Sequence, residues 1–131
     1  MAYRSKQKEP KYNARKVKTL DGTFDSKKEE RRYRDLQWME KAGMITDLRR
    51  QVKYELIPAQ REPEQSGPRG GRRPGKIVER PIYYVADFVY CRDGKTIVED
   101  VKGYKQGTAY SVFVIKRKLM LWRYGIRILE T

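Results

Sequence analysis

Residues 80–104 read RPIYYVADFVYCRDGKTIVEDVKGY: two runs of β-forming residues joined at Asp93-Gly94. The first run is the strongest strand in the chain, with apolar residues on both faces, as in a central strand. Asp-Gly is a favoured hairpin turn, so KTIVEDVKGY should return as the partner strand. Within YYVADFVY only Asp87 is charged. An unpaired carboxylate there would cost several kcal/mol, so Asp87 needs a cation or a metal beside it. In the return strand, alternation puts Val98, Asp100 and Lys102 on one face and Ile97, Glu99 and Val101 on the other. Asp100 and Lys102 therefore point together, and Glu99 is expected to be a bystander. In a tight hairpin Asp87 and Asp100 sit on neighbouring strands near the same end, and two such carboxylates repel unless a divalent cation lies between them.

Upstream, DSKKEERRYRDLQWMEKAG (25–43) predicts a helix. Asp25 or Ser26 can cap it, Glu29 follows Ser26 by three residues as in a capping box, and Gly43 ends it. Its inward face runs through Tyr33, Leu36 and Met39, and one turn earlier that face reaches Glu29. Glu30 shares the opposite, wet face with Arg34, Gln37 and Lys41. Residues 17–24 (VKTLDGTF) predict a small hairpin at Asp21-Gly22, and 45–57 (ITDLRRQVKYELI) a strand. PAQREPEQSGPRGGRRPGK (58–76) holds four Pro, four Gly and a cluster of Arg69, Arg72, Arg73 and Lys76. It reads as a flexible basic loop, over about 58–79, suited to phosphate contact. TAYSVFVIKRKLMLWRYG (108–125) predicts a second helix, capped by Thr108, closed by Gly125, with Val112, Ile115, Leu119 and Trp122 inward. IRILE adds a last short strand. The order helix, three strands, helix, strand is an α/β sandwich in outline.

Lys and Arg number 31 against 17 Asp and Glu, a formal net charge of +14, which favours a polyanionic partner. No run is long enough to span a membrane, and the start lacks the apolar core of a signal peptide, so nucleic acid is the expected partner and no membrane is. Residues 1–18 carry seven cations and one acid, and read as a disordered arm or one laid on a partner, ahead of a single domain over 19–131. The one cysteine, Cys91, excludes intramolecular disulfides and thiolate zinc sites and fits a reducing cytoplasm. With no histidine, His-dependent triads and His-ligated metals are excluded too. A metal here must be hard and oxygen-ligated, Mg²⁺ or Mn²⁺. Glu29, Asp87 and Asp100 with Lys102 would then equip metal-assisted phosphodiester hydrolysis, the lysine acting as a cation.

Asp87, a gap, then Asp100-Val101-Lys102 resembles the PD-(D/E)xK nuclease signature, with Ala86 where the signature's name has Pro and Asp100 where Glu is commoner. FDSKKEERRY, LRRQVKYEL, YVADFVY, DGKTIVEDVKG, IKRKLM and YGIRI, in that order, resemble a small phage and prophage family of that superfamily. The resemblance implies a restriction-endonuclease-like αβββαβ core with a mixed central sheet flanked by helices. It also implies a Mg²⁺-dependent DNA endonuclease, with Glu29, Asp87 and Asp100 as metal-binding acids and Lys102 as the catalytic lysine. Similarity to Holliday-junction resolvases implies a homodimer acting on branched DNA in a host-cell cytoplasm. Gln51 is a possible addition to the site, since related nucleases sometimes carry a polar residue there. Arg69, Arg72, Arg73, Lys105, Lys116 and Lys118 are the expected DNA-contacting cations, with Tyr110 beside them. The alternative is a non-catalytic nucleic-acid-binding protein that retains the nuclease fold.

Overall fold

The computed structural model describes residues 16–103 and 105–131. Most of the basic arm expected at 1–18 lies outside them. Its last residues belong instead to a hairpin of β1 (Val17–Thr19) and β2 (Gly22–Phe24), which pair antiparallel. The turn is Leu20-Asp21, with Gly22 at φ 121°, a conformation open to glycine.

Helix α1 (Lys27–Lys41) starts at Ser26, whose Oγ accepts from the Glu29 N–H at 3.1 Å. Gly43, at φ 74°, lets the chain leave the helix. Next come β3 (Thr46–Ile57), four short strands treated below, β8 (Ile82–Arg92) and β9 (Lys95–Asp100). Asp93 and Gly94 both take positive φ (50° and 75°), as the tight turn between β8 and β9 requires. Helix α2 (Gly107–Tyr124) then carries the chain across to β10 (Leu129–Glu130). The sheet order is β10-β9-β8-β3, antiparallel except for the parallel β9/β10 pair, which needs a crossover of this kind. The architecture is α/β: one mixed sheet and two helices.

The helices cover opposite faces. Leu36 of α1 packs with Ile45, Phe88 and Tyr90, and Phe113 and Met120 of α2 pack with Leu56, Tyr84, Ala86, Val89 and Val98. These groupings show a break in strand alternation. Tyr84 and Ala86 face α2, whereas Phe88 and Tyr90, of the same parity, face α1. In β3, Leu48 lies on the α1 side and Val52 and Tyr54 on the α2 side. Both strands switch face at one level, between the pairs Arg50↔Phe88 and Val52↔Ala86. Gln51, at φ 51°, is the left-handed residue that turns β3 over there. Asp87 lies between the same pairs in β8.

Four expectations are corrected. The inward face of α2 is Phe113 and Met120, flanked by Tyr110 and Leu119; Val112, Ile115 and Trp122 are exposed, Trp122 at 80%. Apolar residues surround this helix, so periodicity could not select the buried side. Gln106, not Thr108, is the cap residue of α2. Glu30 is buried, paired with Arg34 one turn on, rather than on a wet face. The 58–79 stretch also has more structure than a loop. It forms β4 (Gln60–Arg61), β5 (Gln65–Ser66), β6 (Arg72–Arg73) and β7 (Ile77–Glu79), paired β4/β7 and β5/β6 as a ribbon continuing β3/β8. Gly75 makes the ribbon possible, because a Cβ there would stand 1.9 Å from the Glu62 carbonyl oxygen.

Candidate functional site

The last β8/β9 pair is Phe88↔Glu99, so the strands part just before Asp87 and Asp100. Beyond the fork, β9 continues toward β10, with the Lys102 N–H donating to the Thr131 carbonyl at 2.8 Å. Asp87 replaces the missing rung: its Oδ2 accepts from the Val101 N–H at 2.8 Å. A cleft of about 520 Å³ opens at this fork. Asp87, Asp100 and Val101 form its floor, Asp25, Ser26 and Glu29 come from the start of α1, and Gln106, Ala109 and Tyr110 from the start of α2. The positive ends of two helix dipoles therefore meet over three acids. The first turn of α2 carries no acid, leaving its end electropositive.

Glu29 is 3% exposed. Its Oε2 accepts from the Asp25 N–H at 3.2 Å, so it helps cap its own helix while facing the cleft. Gln51 Nε2 donates to Glu29 Oε1 at 3.3 Å and Asp87 Oδ1 at 3.5 Å, so one amide ties two of the acids. Asp100 is held from both sides: Tyr84 donates its hydroxyl to Oδ2 at 2.7 Å, and Lys102 Nζ lies 2.8 Å from Oδ1. The Lys102 ammonium also sits 3.4 Å above the Phe113 ring, fixing it on the α2 side.

Burial, then the charge of Asp100, pushes the Asp87 carboxyl up to about 7; Glu29 adds to this, while the Val101 N–H and Lys102 oppose it. Burial also raises Glu29, against the Asp25 N–H and the Arg50 cation. Tyr84 is pushed upward by burial and by Asp100, so it stays a hydrogen-bond donor.

The structure thus brings Glu29, Asp87 and Asp100 to one cleft, with Gln51 between two of them and Lys102 against the third. Glu99 points to the other face, where Arg32, Tyr90 and Thr131 surround it. The expected DNA-contacting cations do not line the cleft. Arg69, Arg72 and Arg73 lie at the ribbon tip and Lys105 is exposed just before α2. Lys116 is half-buried on α2, and Lys118 borders a separate cavity with Arg117 and Arg127.

Sequence reasoning missed Tyr84 and Arg50. Arg50 lies over the Phe24 ring at 3.7 Å, donates to the Asp21 and Thr23 carbonyls at 3.0 Å, and reaches Glu29 Oε1 at 4.0 Å. Nothing short of the face switch puts either residue beside an acid; a hydroxyl in an apolar strand was the only sign of Tyr84.

The donors at the cleft are oxygens, which suits a hard cation. Among the described residues no group of three acids stands close enough, as placed, to hold a metal ion. Asp100 is drawn to Lys102 and Tyr84, and Asp87 to Val101, instead of to a common centre. Burial first, then the Asp100 and Glu29 charges, raise the proton affinity of Asp87 against the Val101 N–H and Lys102.

The left-handed backbone at Gln51 gives a direct test of strain at this level. Gln51→Gly and Gln51→Ala both lose the amide, but only glycine relieves the φ. Gly should be the more stable by about 1 kcal/mol in urea unfolding. Equal stability would show that the backbone there is unstrained.

Residues 9–128 match the family described as "Protein of unknown function (DUF1064)", and the chain belongs to that family. No curated protein and no solved structure matches it. No helix among the described residues is long and apolar enough to cross a membrane.

Proposed function

We propose that this chain, as a member of that family, is a divalent-cation-dependent DNA endonuclease with a restriction-endonuclease-like core. The observation that carries the reading is the convergence of Glu29, Asp87 and Asp100 on one cleft between two helix N-termini, with the Asp87 carboxyl pushed upward by burial and by the neighbouring acids. Asp87 and Asp100, with Glu29 beside them, would hold Mg²⁺ or Mn²⁺. That cation would supply charge to the scissile phosphate and acidify an attacking water.

The chain's own groups do the rest. The α2 N-terminus attracts a phosphate toward the acids. Lys102, held against Asp100 and over Phe113, keeps a positive charge beside the place where the phosphate gains negative charge. Tyr84 fixes the rotamer of Asp100, and Gln51 keeps Glu29 and Asp87 together despite their repulsion. The net charge of +14 supports a polyanionic substrate. Resemblance to the resolvases extends the proposal to a phage-encoded homodimer in a host cytoplasm, cutting branched DNA.

The test is a cleavage panel of junction, flap, duplex and single-stranded DNA in Mg²⁺, with EDTA as control. Mg²⁺-dependent nicking of at least one substrate is expected. The second reading is a binding protein without catalysis, in which Asp100 stays with Lys102 and Tyr84, and Asp87 with Val101, as they stand among the described residues. Binding without cleavage in either Mg²⁺ or Mn²⁺ would establish that reading and remove the first.

A further inference from the structure

The ribbon of β4–β7 stands off the domain. From Gln60 to Arg80 every residue is exposed except Gly67 and Gly75. Those two glycines pack on the ribbon's own backbone, Gly75 against Glu62 and Gly67 against the Gly71 carbonyl oxygen. The ribbon is therefore ordered by its ladders, not by the body of the protein. Its charge is uneven along its length. The base carries Glu62, Glu64 and Glu79 among Arg61 and Arg80, whereas residues 65–76 hold Arg69, Arg72, Arg73 and Lys76 with no acid. The nearest acid to Arg72 is Glu64, at 3.7 Å and largely exposed, which is a weak restraint on the guanidinium.

We infer that this ribbon enters the major groove of a B-form DNA duplex away from the cleft, with Arg69, Arg72 and Arg73 as its contacting groups. The inference rests on the nucleic-acid part of the reading above and names the form of nucleic acid it takes. A two-stranded ribbon fits a major groove about 12 Å wide. It does not fit the deep, narrow major groove of A-form RNA. Guanidinium groups at its tip suit both phosphate oxygens and the O6/N7 edge of guanine. Fully extended at about 3.4 Å per residue, the chain from Asp87 through β8, β7 and β6 to Gly70 reaches at most about 60 Å. That reach allows the ribbon to meet the duplex up to one turn, about 34 Å, or more away from the cleft. The substrate therefore has a double-stranded arm, whatever structure lies at the cleft.

The test uses the full chain and the variant Arg69→Gln/Arg72→Gln/Arg73→Gln, whose changes are all on the exposed tip. Binding is measured by fluorescence anisotropy in EDTA, where no cleavage is expected. The probes are a 30-base-pair DNA duplex, the matching RNA duplex, and a single strand of the same sequence. For the DNA duplex the variant should lose about tenfold or more in affinity, and about three units in the salt slope. The other two probes should change by less than about threefold. A duplex bearing bulky C5-substituted pyrimidines, which fill the major groove, should abolish the difference between variant and parent. Equal losses on RNA and DNA, no loss on DNA, or a difference that survives groove filling would each overturn the inference. Because none of these readings uses cleavage, a protein that binds as expected yet never cuts removes the nuclease proposal and leaves the ribbon's role standing.

Discussion

Asp87→Asn should lose at least two to three orders of magnitude in Mg²⁺-dependent cleavage and, without metal, become more stable than the parent. The two effects share a cause. Asp87 is half-buried beside Asp100 and Glu29, and its carboxyl is pushed up to about 7. An unfolded aspartate titrates near 4. Between those values the folded protein holds a proton that the unfolded chain has released, so stability falls as pH rises from about 4 to 7 and is flat above. Integrated over that window the loss is about 2–4 kcal/mol, and Glu29, also raised, adds in the same direction. The asparagine carries no charge, and its oxygen can still accept from the Val101 N–H. Urea unfolding in EDTA at pH 5 and pH 8 should show most of the parent's pH dependence gone in the variant. Mg²⁺ at pH 8 should stabilise the parent and not the variant, since a cation replaces the proton as the compensating charge. Wild-type cleavage by the variant, with unchanged stability at pH 8, would remove Asp87 from the site.

How much of this site was legible depended on the range of the interaction that places each residue. Alternation is a two-residue property, so Asp100 and Glu99 separate correctly in β9, where the ladder is regular. The Asp93-Gly94 turn is equally local, and it set the two acids on neighbouring strands. Glu29 followed from helical spacing and from a cap that involves its own side chain. The face switch at Gln51 and Asp87 was not legible. It depends on a backbone conformation that glutamine seldom adopts, and nothing in LRRQVKYEL announces it. Its consequences were hidden with it, namely Tyr84 against Asp100 and Arg50 beside Glu29. The inward face of α2 failed for another reason: with Val112, Phe113, Ile115, Leu119, Met120 and Trp122 all apolar, tertiary packing alone decides which of them meet the sheet. The ribbon pairs strands of two or three residues, too short for any periodic signal.

The largest stability effect should come from the acid that the cleft does not use. Glu99 is fully buried, and its carboxylate takes Arg32 through Nε at 2.5 Å and through a second nitrogen at 3.2 Å. Tyr90 donates to it at 2.8 Å and Thr131 Oγ1 at 3.0 Å, so both oxygens are satisfied. The Arg32 guanidinium is held protonated by that contact, and the Tyr90 hydroxyl is pushed up to about 12 by burial and by the carboxylate. Removing one member of such a set strands the other charge. Arg32→Ala should therefore destabilise by about 3–5 kcal/mol in urea unfolding. The paired replacement Arg32→Met/Glu99→Leu should recover much of that loss, because an apolar pair of similar volume escapes the desolvation of both ions. Glu99→Gln keeps the shape and one accepting oxygen, and its amide can donate to the Tyr90 or Thr131 hydroxyl, so enough protein should fold to be assayed, and its cleavage per folded molecule should match the parent. Asp100→Asn should do the reverse, folding well and losing cleavage. The contrast between adjacent acids is what strand alternation and the fork at Asp87 require of them. If Glu99→Gln loses cleavage and Asp100→Asn keeps it, the third acid of the site is Glu99, and the face assigned to β9 in the catalytic state is the wrong one.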